Sequence, residues 1–280
     1  MRSIPSRKIT DAVSRLCMQA NFELRRDVLR ALRRAQAAEK NSRARRMLEA
    51  IVTNAAVARR ERLAICQDTG LPVVFVELGQ DARVAGDLKK AIVKGVEEGY
   101  RKGCLRDSIV GDPLKRGRPG FTPPVLHIDI VPGNKITLAV LPKGFGCENK
   151  TQLAMFNPTA SWRRIKDFIV GAVKAAGPDA CPPYVVGVGL GGTAEYACLL
   201  AKKALLRKIA RPRLQGAGST RRLEKELLAA INKLGIGPMG LGGATTALAV
   251  SIGTYPTHIA GLPVAVSISC HALRSAKATL

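Results

Sequence analysis

Aromatic side chains are scarce: 4% of the 280 residues, with one Trp, four Tyr and six Phe. A core made largely of Ala, Gly and Val must be built from close backbone approaches and small side chains. Acidic residues are few as well, 21 against 45 Lys and Arg, which leaves a formal net charge of +24. The seven cysteines are scattered, odd in number and without a C-x-x-C pair. That excludes a disulfide framework and a ribbon-type zinc site. No apolar run is long enough to span a bilayer. The opening M-R-S-I-P-S-R-K has no apolar core of a signal peptide. The expectation is a reduced, soluble, cytoplasmic protein. Zinc-finger spacing, aromatic-rich RNA-binding strands and a basic region followed by heptads are all missing. The positive charge therefore reads first as attraction for small anions or for an acidic partner chain.

What is present suffices for a buried core. Hydrophobic residues make up 46% of the chain, and no internal repeat or domain linker is evident, so residues 1–280 read as a single domain. Residues 6–62 read as helical, with Met47, Leu48, Ile51, Val52 and Ala55 on one face. The stretch I-C-Q-D-T-G at 65–70 follows. It places a thiol, an amide and a carboxylate on consecutive residues, Cys66, Gln67 and Asp68, before a tight turn and an apolar strand over 71–77. A soft metal ligand beside an acid or base suits a metal-centred site, although a cysteine before a buried strand is also ordinary packing. Asp87 can cap a helix running to about residue 101.

The loop L-R-D-S-I-V-G-D-P-L carries Arg106, shaped to grip a carboxylate bidentately or simply solvated. Strands over 125–130 and 135–141 flank P-G-N and read as a hairpin. They deliver P-K-G-F-G-C-E-N at 142–149, where Gly144 and Gly146 let backbone approach a ligand and Lys143 offers a charge. A helix is expected over about 159–176. Cys181 precedes Pro-Pro and a strand from 184, then glycines and a helix from about 193 to 209. Gly187, Gly189 and Gly192 satisfy G-x-G-x-x-G, but no strand with an acidic residue follows, so dinucleotide binding is rejected. Residues 215–220 read as a linker before a helix with Leu223, Leu227, Ile231 and Leu234 inward. Strands over 247–252 and 263–267 enclose Y-P-T-H-I-A-G with His258, which on local sequence is equally a turn residue. The last strand ends at Cys270-His271.

Cys66, Cys181 and Cys270 each sit at an element boundary, where thiolates can converge. Cys17, Cys104 and Cys198 lie in or beside helices, where a cysteine is usually a small hydrophobe. Cys147 stands on the glycine loop. Three thiolates suit a [4Fe–4S] cluster with one iron open to act as a Lewis acid, while a zinc hydrolase could use the same thiols. At these residues the chain resembles a family. C-Q-D-T-G, P-K-G-x-G-x-E-N, C-P-P-Y-x-x-x-V-G-x-G-G-T-x-E and L-G-G-x-T-T…P-T-H-I-A…P-V-A-V…C-H occur in order over about residues 10–275. This set resembles the iron–sulfur hydro-lyases of the class I fumarase and L-tartrate dehydratase family, in their alpha subunit or N-terminal catalytic domain.

The resemblance implies a mixed α/β fold, with an N-terminal helical layer and then mixed strands and helices around a cysteine-ligated cluster site. It implies Cys66, Cys181 and Cys270 as ligands of a [4Fe–4S] cluster and Asp68 in acid–base chemistry. Gln67, Arg106 and His258 would bind substrate, with the backbone at Gly144, Phe145 and Gly146 closing against it. Phe145 stands where the family's loop is usually glycine, and Cys147 where serine is common. The expected reaction is hydration of a small dicarboxylate, fumarate to malate first, with an L-tartrate dehydratase alpha subunit as the alternative. A second acid/base group is expected from a beta subunit in a hetero-oligomer. The competing class is a basic nucleic-acid-binding or scaffold protein that keeps the fold.

Overall fold

The computed structural model describes residues 2–209 and 220–280. In chain order the elements are β1 (Arg2–Pro5), α1 (Ser6–Phe22), α2 (Arg26–Ala38), α3 (Ser42–Glu61), β2 (Leu71–Gly79), β3 (Ala82–Ala85), α4 (Leu88–Lys102), β4 (Val125–Val131), β5 (Ile136–Lys143) and α5 (Phe145–Glu148). There follow β6 (Gln152–Phe156), α6 (Trp162–Ala176), β7 (Tyr184–Gly192), α7 (Ala194–Ala204), α8 (Thr220–Asn232), β8 (Ala247–Thr257), β9 (Leu262–Ser269) and β10 (Ala276–Thr279). The fold is mixed α/β, as expected, with three helices over the first sixty residues. The linker expected at 215–220 lies outside the described residues as far as 219. Among the described residues no helix is long and apolar enough to cross a membrane.

Local signals explain several boundaries. Asp87 caps α4, its Oδ1 accepting from the Lys90 N–H at 2.9 Å. Asn41 does the same for α3, accepting from the N–H groups of Arg43 and Ala44. Ser161 accepts from the Arg164 N–H at the start of α6. The helix expected from 193 to 209 ends earlier, at Ala204.

The chain forms two compact units. Unit 1 comprises Met1–Arg25, Ala55–Phe145 and Arg274–Leu280. Its four-stranded sheet has the order β10-β5-β2-β4, and β1 pairs separately with β3. Val74, Val76, Leu138 and Val140 meet Ile9, Val13, Ile92 and Val96 from α1 and α4 in its core. The two helices pack closely because α4 offers glycine to α1: a methyl group on Gly95 or Gly99 would overlap the carbonyl oxygens of Thr10 and Ser14.

Unit 2 comprises Arg26–Asn54 and Gly146–Leu273. Its sheet has the order β6-β9-β7-β8. Val186, Val188, Val264 and Val266 pack with Ile165, Ile169, Leu227 and Ile231. On the other side of β7, Gly187 and Gly189 face α7, and a methyl group on either would collide with the carbonyl oxygens of Ala201 and Ala197. These glycines serve helix–strand packing.

The expected hairpin over 125–141 does not form. β4 and β5 flank β2 instead, β4 parallel to it and β5 antiparallel. The P-G-N segment arches over the end of β2, with Gly79 N–H donating to Lys135 O and Asp81 N–H to Gly133 O. β2 is buried on both faces through its middle, so it takes a central place in the sheet. Unit 2 repeats this arrangement: β8 is parallel and β9 antiparallel to β7, which lies between them. The two units thus share a four-strand topology that no sequence repeat announced.

Candidate active site

In unit 1 the I-C-Q-D-T-G turn enters β2, and Leu71 is paired with Lys143 at the end of β5. The topology therefore brings residues 66–70 and 143–145 to one end of the sheet. Asp68 joins them. Its Oδ1 accepts from the Gly70 N–H at 2.9 Å and its Oδ2 from the Phe145 N–H at 2.8 Å. Each oxygen keeps a lone pair for a further proton or donor. Cys66 is partly exposed and its thiol donates to the Gln67 side-chain oxygen at 3.3 Å. Gln67 is exposed.

Buried groups hold this turn from behind. The Tyr100 hydroxyl lies 2.9 Å from the carbonyl oxygens of both Thr69 and Gly70. Burial pushes that phenol well above its ordinary range, so it stays a neutral donor. Thr69 Oγ1 accepts from the Arg106 N–H at 3.1 Å and lies 3.3 Å from the Arg106 carbonyl oxygen. This pair places Arg106 beside the turn, with its side chain exposed. Arg274, only 4% exposed, donates from Nη1 to the Asp68 carbonyl oxygen and to Asn21 Oδ1. Gly144 fits against this group: a methyl there would lie 3.1 Å from Asp68 Oδ2 and 3.4 Å from Arg274 Nη2.

In unit 2, Cys181 precedes β7 and Cys270 follows β9. The register pairs Val185 with Ser269, so both cysteines stand at the same end of the sheet. His271 ties them: its backbone N–H donates to the Cys181 carbonyl oxygen at 3.4 Å, and its Nδ1 lies 3.0 Å from the same atom. Cys181 itself has a left-handed backbone, φ 57°, a conformation a non-glycine residue holds only under local constraint. Both thiols are partly exposed.

The other cysteines behave differently. Cys17 is sealed in the unit 1 core, and burial pushes its thiol up to about 12. Burial also raises the Cys198 thiol. Cys147 is buried and its thiol donates to the Ala180 carbonyl oxygen at 3.4 Å. Its neighbour Glu148 makes a 2.5 Å ion pair with Lys202 of α7, so this acid anchors the loop. Phe145 and Gly146 are exposed.

His258 stands elsewhere. It lies in the β8–β9 connection, at the opposite end of the sheet from Cys181 and Cys270. The eight residues of β9 separate it from Cys270, roughly 25 Å of strand. Its Nδ1 accepts from the Ala260 N–H at 3.2 Å, so a neutral ring carries its proton on Nε2 as a donor.

The structure thus gathers Cys66, Gln67, Asp68, Arg106 and Gly144 in unit 1, and Cys181 with Cys270 in unit 2. Among the described residues no group of three or more His, Cys, Asp and Glu side chains is gathered at metal-binding range. Sequence reasoning passed over Arg274, Tyr100 and His271 as site residues. His271 adjoins a singled-out cysteine, and Arg274 follows it by three. A buried role for such an arginine is visible only once Asn21 and Asp68 are seen on either side of it.

Comparison with known proteins points one way. The family described as fumarate hydratase (Fumerase) matches residues 10–279. A protein of Methanocaldococcus jannaschii named "Putative L(+)-tartrate dehydratase subunit alpha" is 39% identical over 96% of both chains. The L(+)-tartrate dehydratase subunit alpha of Escherichia coli UTI89 is 31% identical, over 95% of this chain and 89% of its own length. The corresponding subunit of Escherichia coli K12 is 30% identical over the same shares.

Proposed function

The chain belongs to the fumarate hydratase (Fumerase) family, and from that premise we propose that it is the alpha subunit of an iron–sulfur hydro-lyase that dehydrates a small hydroxylated dicarboxylate. It is an enzyme of the fumarate hydratase and tartrate dehydratase type. Tartrate is the first substrate in this reading, because near-full-length relatives carry that name. Fumarate and malate, placed first by the sequence reading, become the second, which the family's own description favours. The observation that carries the chemistry is Asp68, whose carboxylate bridges the cysteine turn and the glycine loop.

The donor set fits a thiolate-held cluster. Cys66, Cys181 and Cys270 are partly exposed at strand ends, whereas Cys17 and Cys147 are packed as core residues. Cys66, Cys181 and Cys270 would hold the group, which when bound supplies Lewis-acid polarisation of a substrate oxygen. The chain's own residues do the rest. Asp68 would hold or release the proton of the leaving hydroxyl at a carboxylate oxygen. Gln67 would donate its amide to the substrate, and Arg106 would grip a carboxylate end bidentately. His258, at the far end of β9, is left out of a site built on Cys181 and Cys270. The acid or base for the carbon-bound proton is assigned to a beta subunit, in line with the alpha designation of the relatives.

The test is anaerobic iron and sulfide reconstitution, read by absorbance and EPR, on the parent and on Cys66→Ala, Cys181→Ala, Cys270→Ala and Cys147→Ala. Cluster loss in the first three and retention in Cys147→Ala is the expected pattern. A parent that takes up no cluster would overturn the reading. Turnover of tartrate, malate and fumarate with a co-expressed beta subunit then ranks the substrates, and robust turnover by the isolated chain would sink the two-chain scheme.

A further inference from the structure

Helices α2 and α3 give unit 2 a face of one charge. α2 contributes Arg26, Arg30, Arg33 and Arg34, and all four are exposed. The turn after it and the start of α3 contribute Lys40, Arg43, Arg45 and Arg46, which are exposed as well. Residues 26–46 hold only two acids, Asp27 and Glu39. Both are turned inward, at 9% and 6% exposure. Asp27 Oδ2 accepts from the Ile209 N–H at 2.8 Å, and Glu39 accepts from the N–H groups of Asn41 at 3.0 Å and Ala244 at 2.8 Å. The acids therefore fix the helices to unit 2 and neutralise nothing on the outside. Among the described residues, none of these eight basic side chains makes an ion pair or a hydrogen bond. The contrast with α4 is direct: there Lys90, Arg101 and Lys102 are matched by Asp87, Glu97 and Glu98. Three of the arginines also fall in the first five residues of α3, where no acid is present and the helix dipole favours an anion.

The chemistry of the face selects its ligand. Seven of the eight cations are arginines, whose planar forks match phosphate oxygens. Arg26, Arg30, Arg33 and Arg34 recur along roughly 12 Å of helix. One strand of a duplex offers a phosphate about every 3.4 Å of axis, a comparable density. Ala37 and Ala38 are the other exposed positions of α2. The helix thus presents no aromatic ring for stacking on unpaired bases and no hydroxyl or amide to read a ribose 2′-hydroxyl. Its apolar residues Val28, Ala31 and Leu32 are buried, which leaves none to enter a lipid surface. We propose that the α2–α3 face binds the phosphate backbone of duplex DNA without reading its sequence. The chain holds no base-reading motif, and backbone contact needs none. This binding does not rest on the hydro-lyase reading.

Fluorescence anisotropy of a labelled random-sequence DNA duplex, titrated with the full chain alone and with its beta subunit, reads the binding. The parent is expected to bind with a dissociation constant of about 1–100 µM at physiological salt. Its affinity should fall with salt on a log–log slope of about −3.6 or steeper, the value for four or more phosphates. R30E/R33E is expected to lower the affinity about tenfold or more and to flatten the slope by about two, with circular dichroism and melting temperature retained. R83E/K89E makes the same charge change at exposed positions of unit 1 and is expected to cost less than about threefold. Equal losses in the two double variants overturn the proposal, because the attraction then belongs to the net charge of the chain. A parent that does not bind the duplex overturns it too, as does tighter binding of single-stranded DNA, of an RNA duplex or of a polyglutamate peptide. Displacement of the duplex by the beta subunit would assign the face to that subunit instead.

Discussion

Arg274 holds Asp68 by its backbone: the buried guanidinium donates from Nη1 to the Asp68 carbonyl oxygen and to Asn21 Oδ1. Among the described residues its Nε makes no hydrogen bond. Removing the side chain leaves two acceptors without a donor in a closed setting. Arg274→Ala is expected to lower stability by about 2–3 kcal/mol, the usual range for losing hydrogen bonds to a charged group. With cluster content equal to the parent, its kcat should fall by about tenfold or more while KM changes little, because the carboxylate loses its fixed position. Arg274→Lys should recover part of the stability and little of the rate. A variant with parental kcat would show that the arginine is structural only.

Cys17 sets a limit at alkaline pH. Its thiol is fully buried in unit 1 and is pushed from 9.0 up to about 12. The folded-state value is raised, so the contribution is complete below the unfolded value and is lost as pH rises through the window from about 9 to about 12. In that window the unfolded chain releases a proton that the folded chain keeps, which costs about 1.4 kcal/mol per pH unit. Urea melts between pH 8 and 11 should show this slope, and Cys17→Ala should be shallower by that amount while being less stable at neutral pH, the remaining slope coming from the buried Tyr100 phenol. Equal slopes in the two proteins would refute the assignment.

Trp162 reports on an acid. The lone indole donates to Glu226 Oε2 at 3.2 Å, and Lys166 reaches Glu226 Oε1 at 2.8 Å. The Lys166 hydrogen bond first, and the indole second, hold this carboxyl below the ordinary glutamate range. A lowered value means that the interaction is intact above the unfolded pKa and is lost as pH falls through the folded one. Tryptophan emission should therefore shift with a midpoint below 4.5, the ordinary value. Glu226→Gln should abolish that step without moving the global acid transition appreciably.

Two glycines should respond in opposite directions to the same change. Gly189→Ala drives a methyl into the Ala197 carbonyl and is expected to destabilise by about 1–3 kcal/mol or more. Gly171→Ala, within α6 and with open space around it, is expected to stabilise by about 0.5–1 kcal/mol. Paired thermal melts give both values.

Elements bounded by local chemistry could be read directly. Asp87 announced α4, the apolar run after Gly70 announced β2, and the strand-flanking positions of Cys66, Cys181 and Cys270 were legible, their role as ligands being the proposal made above. Partners that arrive from far along the chain could not. The hairpin expected over 125–141 failed because β2, written some fifty residues earlier, takes the place between its two strands. The distance between His258 and Cys270 is set by the direction of β9, and a motif read in order carries no direction. The shared topology of the two units is invisible for the same reason: it lives in pairings, and the residues that make them differ.

Unit 1 has a further consequence for the order in which the protein can be made. β10 pairs with β5, and Leu280 exchanges backbone hydrogen bonds with Ile136. Between β5 and the final segment Arg274–Leu280 the chain spells out the whole of Gly146–Leu273. At typical translation speeds that takes on the order of ten seconds. Throughout that wait the outer edge of β5 has no strand beside it, and the pairing that closes it is of the slow, long-range kind. The nascent sheet is therefore at its most adhesive while unit 2 is being synthesised, and a chaperone that shields strand edges would act in that interval.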